Sequence, residues 1–233
     1  MILQTVILAG GLSTRLGSLT VDRPKSLVPI LGRPFIDWQF ELLIQQGVKD
    51  IVMCLGHMGE SIQHHVERKY SHALNLKFSF DGEKRLGTGG AIRNASHLLD
   101  DNFSVIFGDS YLSVNHFMHA SRFLESNFKA MMLFTKHYRD FDQPNVSILD
   151  GFTIKYDKSL LNSDMKYIDF GLSFFSKKVF LDYSQKEESF DLNSLLTHLS
   201  SKLELRGVEV NEEFYEVGSL KGIVDFEKFL QSR

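Results

Sequence analysis

One cysteine, Cys54, stands in 233 residues. It has no partner for an internal disulfide, so a stapled extracellular scaffold is excluded and a reducing cytoplasm is the expected setting. Its surroundings, DIVMCLG, are apolar, which makes it a small buried hydrophobe rather than a nucleophile. Excess charge is also lacking: 26 Lys and Arg face 29 Asp and Glu, for a net charge of −3. That balance gives no basic field for a general nucleic-acid binder. The nine histidines are scattered, so a His-rich metal tract is not expected. No apolar run is long enough to span a bilayer, and the short N-terminal one lacks a basic flank, so neither a membrane partner nor a signal peptide is expected. Linkers, low-complexity tracts and internal repeats are missing too. What remains, 43% hydrophobic and 24% charged residues, suits one domain of ordinary globular composition.

The first half alternates between two periodicities. TVILAG reads as a buried strand, and after a long loop Pro34 introduces a helix over FIDWQFELLIQQG that stops at Gly47. DIVMCLG is a strand, MGESIQHHVERKY a helix, LNLKFSF a strand, RLGTGGAIRNASHLL a helix and FSVIFGDS a strand. Strict alternation implies right-handed crossovers, and therefore an α/β, Rossmann-like, mostly parallel sheet flanked by helices. The second half instead shows strands at short spacing: FKAMMLFTKH, PNVSIL, GFTIKYDK and KYIDFGLSFFS. It is expected to form a mixed or antiparallel extension covering the carboxyl edge of the sheet. Helices return in SFDLNSLLTHLSSK and LKGIVDFEKFLQ, bracketing the short EEFYEVGS. One domain over 1–233 follows, with an alternating first half (1–112) and an elaborated second half (113–233).

Ligands of open parallel sheets bind at the carboxyl ends of the strands, and three loops end there. In the first, Gly10 and Gly11 allow close backbone approach and conformations closed to other residues, and successive N–H groups can cradle phosphate oxygens. Arg15 offers a planar fork for phosphate and Lys25 a mobile point charge. The glycine spacing fits neither the dinucleotide fingerprint nor the P-loop. In FGDS, Asp109 suits Mg²⁺, which takes one or two carboxylates plus phosphate oxygens and water; the alternative is an acid that caps a turn. LGTGG opens a helix whose dipole and free N–H groups suit an anion or a base edge, or whose glycines serve close packing. Glu216 in YEVGS and Lys158 in YDKS read as a second metal ligand and a phosphate contact, or equally as solvated charges.

The stretch GGLSTRLGSLTVDRPKSLVPILGRP, followed in order by LGTGGA, GDS, YDKS, IDFGLSFFS and EVGS, resembles the sugar-1-phosphate nucleotidyltransferases. The likeness covers essentially the whole chain, and the length leaves no room for the C-terminal β-helix acyltransferase domain of some relatives. It implies an Mg²⁺-dependent enzyme joining an NTP to a sugar 1-phosphate, with release of pyrophosphate. Leu8, Ala9, Gly10, Gly11, Ser13, Thr14 and Arg15 would hold the nucleotide, with Arg15 on the departing phosphates. Lys25 would act at the reacting phosphorus, Gly87 and Thr88 would lie against base and ribose, and Asp109 would ligate Mg²⁺. Lys158, Asp169 and Gly171 would hold the sugar phosphate, and Glu216 would be the second metal ligand. Four departures stand out: Ser13 for glycine, Ser26 after the Pro-Lys pair, Asp169 for asparagine and Glu216 for aspartate. LGTGGAIR in a short chain looks most like guanylyltransferases acting on D-glycero-D-manno-heptose 1-phosphate, then on mannose 1-phosphate, which suggests lipopolysaccharide or capsule assembly. Uridylyl, thymidylyl and phosphocholine cytidylyl transfer are the alternatives, as is a non-catalytic nucleotide-sugar-binding subunit. The partners expected are the small-molecule substrates and, in a homodimer, a second copy of the chain.

Overall fold

The computed structural model describes residues 3–11, 14–82, 84–136, 143–158, 164–184 and 189–233. Its first strand, β1 (Gln4–Leu8), is buried along its whole length. Val6 and Ile7 point to opposite faces, as a strand's period of two requires, and each meets a separate apolar layer. Such a strand belongs at the centre of a sheet with helices on both sides. β4 (Asp50–Leu55) and β6 (Asn102–Phe107) flank β1 in parallel, and β5 (Asn75–Phe80) extends the row beyond β4. Two short pairs sit off the main sheet: β2 (Pro29–Ile30) with β3 (Arg33–Pro34), and β7 (Ser110–Leu112) with β13 (Phe214–Glu216).

The crossovers are helical. α1 (Phe35–Gln45) and α2 (Gly59–Tyr70) cover one face, where Ile36, Phe40, Ile62 and Val66 pack on Ile7, Ile51 and Met53. α4 (His116–Glu125) joins the same layer through Ala120 and Phe123. On the other face lie α3 (Gly87–Asn94), α5 (Lys177–Ser184) and α6 (Leu192–Ser201), where Ile92, Phe180, Leu195 and Leu199 pack on Val6, Val52 and Phe103. α7 (Leu220–Gln231) stands apart, in a third cluster with β7, β13 and the opening loop.

The second half departs from expectation in its placement. β8 (Ala130–Thr135), β9 (Val146–Asp150), β10 (Thr153–Tyr156), β11 (Ile168–Ser176) and β12 (Leu205–Glu209) do not cover the carboxyl edge but widen the sheet sideways, to the order β5-β4-β1-β6-β11-β8-β12-β10-β9. The pairings make β11 and β10 antiparallel to the other seven strands, so the sheet is mixed but mostly parallel. The reason lies in β11: Leu172, Phe174 and Phe170 face one layer and Phe175 the other, so it is a two-sided inner strand and needs a neighbour on each edge. The β7–β13 pair and α7 gather with the opening loop beyond the carboxyl end of β6.

Candidate active site

The carboxyl ends of β1, β4, β5 and β6 open into one cleft of 660 Å³. Leu8, Ala9, Gly10, Gly11 and Lys25 line one wall, Gly87 and Thr88 another, and Asp109 the floor. Eight of the sequence-predicted residues thus converge from four separate segments.

Gly10 packs tightly. A Cβ there would lie 3.2 Å from the amide nitrogen of Gly56 and 3.1 Å from a carboxylate oxygen of Asp81. Neither Gly10 nor Gly11 adopts the left-handed conformation the sequence allowed for; the nearest glycine that does so is Gly17 (φ 51°). A Cβ at Gly11 would meet nothing within 4 Å, so the backbone there is open to a ligand. Ser13 lies outside the described residues. Thr14 and Arg15 begin a 3₁₀ turn, Thr14–Thr20, and their side chains are likewise outside the described set.

Lys25 and Asp109, 84 residues apart, form a salt bridge at the cleft floor, with side chains 18% and 22% exposed. Lys25 starts a short 3₁₀ turn, Lys25–Leu27, behind the stiff Pro24. Asp109 follows Gly108, whose Cβ would lie 2.8 Å from that of Ala9, so only glycine lets this turn pass β1 closely.

The glycine-rich start of α3 behaves differently from the anion site its sequence suggested. The amides of Gly89 and Gly90 donate to the Phe190 carbonyl at 2.9 and 3.0 Å. The Thr88 amide donates to Asp191 Oδ1 at 3.2 Å, and the Thr88 hydroxyl accepts from Leu192 N at 2.8 Å. Each helix therefore supplies the other's N-terminal partner. Gly87 (φ 71°) and Gly89 are needed for contact, since Cβ atoms there would fall 2.6 and 2.2 Å from Phe190 atoms. The helix N-terminus is satisfied by protein, and Gly87 and Thr88 remain as a neutral cleft wall.

Lys158, Asp169, Gly171 and Glu216 do not line this cleft. Asp169 and Gly171 occupy a bulge in β11, where the Asp169 carboxylate accepts from the Gly171 amide at 2.8 Å and Gly171 takes φ 91°. A Cβ on Gly171 would lie 4.0 Å from Ser110 Oγ, so the bulge abuts the residue after Asp109. Burial pushes the Asp169 carboxyl above its ordinary value, against the Gly171 amide and the nearby Lys158 charge. Lys158 itself is exposed. Glu216 is exposed and pairs with Ser110, and the next residue, Val217, donates its amide to the Asp109 carbonyl at 2.9 Å. The two carboxylates read as metal ligands thus sit on adjoining backbone. Among the described residues no group of three or more His, Cys, Asp or Glu side chains could hold a metal ion.

Sequence reasoning missed Asp81, His57, Lys84, Arg85 and Asp191, all of which line the cleft. Asp81 ends β5 as Asp109 ends β6, so a second strand-terminal acid was the available signal. Burial raises its carboxyl above the ordinary value. Cys54 is buried and its thiol is pushed up to about 12, first by burial and then by Asp81, as an inert thiol should be. No helix of the described residues is long and apolar enough to cross a membrane.

Comparison with known proteins matches residues 4–145 to the nucleotidyl transferase family model. A D-glycero-alpha-D-manno-heptose 1-phosphate guanylyltransferase of Campylobacter jejuni is 28% identical over 218 residues, 93% of this chain and 95% of that protein. The crystal structure of HddC from Yersinia pseudotuberculosis complexed with GMP-PN shares 26% identity at a TM-score of 0.78, over 98% of this chain and all of that one. A putative glucose-1-phosphate thymidylyltransferase of Bacillus anthracis, 18% identical, shares the fold at a TM-score of 0.85, over 99% of this chain and 96% of that one. A family match over more than half the chain gives one conclusion: the chain belongs to the nucleotidyl transferase family.

Proposed function

We propose that the protein joins GTP to D-glycero-D-manno-heptose 1-phosphate, releasing pyrophosphate and a GDP-sugar. The observation that carries this reading is the meeting of the opening loop, the Lys25–Asp109 pair and Gly87–Thr88 in one cleft. The likeness to the Campylobacter guanylyltransferase along nearly the full length of both chains supports the choice of substrates. Asp81 supports guanine: a carboxylate only accepts, and guanine presents N1–H and its exocyclic amine side by side. Mannose 1-phosphate is the next acceptor to test.

In this reaction the sugar-phosphate oxygen forms a bond to the α-phosphorus, and the bond from that phosphorus to the bridging β-oxygen breaks. The attacking group is already anionic near neutral pH, so the chain's residues mainly position and neutralise charge. Lys25 would act at the reacting phosphorus and Arg15 on the departing phosphates. Asp169 and Gly171 of β11, with Lys158 just after β10, would hold the sugar phosphate. Asp109 puts a carboxylate in the cleft, and Mg²⁺ takes one or two carboxylates plus phosphate oxygens and water; Asp109 would hold the ion, with Glu216 from the adjoining strand. When bound, the metal supplies neutralisation of the polyphosphate charge.

The test is pyrophosphate release over a panel of NTPs against sugar 1-phosphates and phosphocholine, with Mg²⁺. GTP with the heptose 1-phosphate should be the best pair. Lys25→Ala and Asp109→Asn should each lower turnover by about 10²–10³-fold while staying folded. Wild-type turnover in either variant, or silence across the panel alongside tight GDP-sugar binding, sinks the reading.

A further inference from the structure

α1 buries six residues, and only two of them are polar: Asp37 and Gln39. Asp37 is accounted for by His65, Lys69 and Tyr70, which bond its carboxylate at 2.8, 2.7 and 2.9 Å. Gln39 serves neither its own helix nor the cleft lining. Its Nε2 donates to the Phe107 carbonyl at 2.8 Å and to the Ser110 carbonyl at 2.7 Å. Two acceptors in reach of one end fix the amide orientation, because Oε1 there would face two carbonyls. Both hydrogens of Nε2 are thereby used.

Those two carbonyls bracket Gly108 and Asp109. The Gly108 amide is held by the Leu8 carbonyl at 2.9 Å, and the Asp109 carbonyl by Val217. Gln39 supplies the remaining side of this frame from a helix packed in the core, where it is 2% exposed. On its other side Gln39 Oε1 and Ser110 Oγ have no protein partner among the described residues, and both residues line a cavity of 10 Å³, about the space of one water. An apolar side chain would fill this space equally well, so packing alone does not call for glutamine.

We infer that Gln39 is a positioning residue: its carboxamide ties both ends of the Gly108–Asp109 turn and so sets the direction of the Asp109 carboxylate toward Lys25 and the substrate. The inference rests on the reading of Asp109 as a participant in the reaction. Gln39 touches no substrate; it acts through Asp109.

The experiment compares wild type, Gln39→Leu, Gln39→Glu and Asp109→Asn. Gln39→Leu should lower kcat by about 10–100-fold, the usual scale for a group that orients a site residue, with both KM values within about threefold. Its crystal structure should show the Asp109 carboxylate displaced from Lys25. Gln39→Glu keeps length and shape, but its ionised form turns negative oxygens on two carbonyls, and only its protonated form donates one bond. Its kcat relative to wild type should therefore fall as pH rises. A lowered melting temperature with unchanged kcat per folded enzyme would overturn the inference, as would a rise in KM alone. If Gln39→Leu does not fold, the pH profile of Gln39→Glu decides, and a flat ratio to wild type overturns it. Wild-type turnover in Asp109→Asn would instead overturn the reading of Asp109, a separate result.

Discussion

Asp81 and Asp109 show how two acids at equivalent strand ends acquire different surroundings. Asp109 meets an ammonium group, whereas Asp81 is pressed against Gly10 and the end of β4, and burial alone raises its carboxyl. A carboxylate held without a strong partner at a cleft wall is suited to donors on a ligand. Asp81→Asn turns one oxygen into a donor, so it should reduce the preference for GTP over UTP by about 5- to 160-fold, the scale of roughly 1–3 kcal/mol for a two-point base contact. The values of kcat/KM for the four NTPs check this, and an unchanged preference would remove Asp81 from base selection. Glycines, Lys25 and Asp109 were legible in the sequence because each breaks a local pattern: glycine pairs after a strand, or charge where a strand stops. Asp81 was not, because an Asp-Gly pair after a strand is the commonest of turns. Asp191 was not, because its partner Thr88 is 103 residues away.

At the scale of elements, the α3–α6 contact sets the shape of one cleft wall. A methyl group at Gly89 would fall 2.2 Å from the Phe190 ring. Gly89→Ala should therefore cost about 1–3 kcal/mol by overpacking, lowering the melting temperature by roughly 2–10 °C. It should raise KM for the NTP more than it lowers kcat, since Lys25 and Asp109 stand on other segments. Pairing it with Phe190→Leu should recover part of both losses, and a purely additive double variant would argue against the contact. The strands and helices of the first half were readable because each is long and cleanly periodic. α4 was overlooked although Asn115 caps it, its side chain accepting from the Met118 amide at 2.9 Å. Its histidines and exposed Phe117 and Met118 blur the apolar stripe. The placement of β8 to β12 in the main sheet was beyond local pattern, because which edge a strand joins depends on partners far along the chain.

For the whole molecule, acid sensitivity should begin well above the carboxylate range. His116 is 4% exposed, bonded to Ser104 Oγ at 2.9 Å, and burial, with His119 beside it, lowers its value from 6.5 to about 4. It stays neutral in the fold while the unfolded chain takes up a proton below pH 6.5. Unfolding therefore binds a proton between those values, and stability falls as pH drops from about 6.5 to 4, by up to roughly 3 kcal/mol. Asp37, held low by Lys69, His65 and Tyr70 against its burial, adds a loss of the same sign only below its ordinary 3.8. Urea unfolding at pH 7.0, 5.5 and 4.5 reads this slope, and His116→Phe should reduce it, the remainder coming from His119, which burial also lowers. An equal slope in both proteins would assign the acid sensitivity elsewhere.

The reciprocal caps of Thr88 and Asp191 carry a consequence for synthesis. During translation Thr88 leaves the ribosome 103 residues before Asp191, its partner at the start of α3. The nascent chain can pair β1, β4, β5 and β6 early, but α3 gains its N-terminal partners only once Phe190 and Asp191 have arrived. Completion of this cleft wall is thus a late event, coupled to the second half. The first 112 residues carry all but one of the residues that line the cleft, yet by themselves leave the start of α3 without these partners.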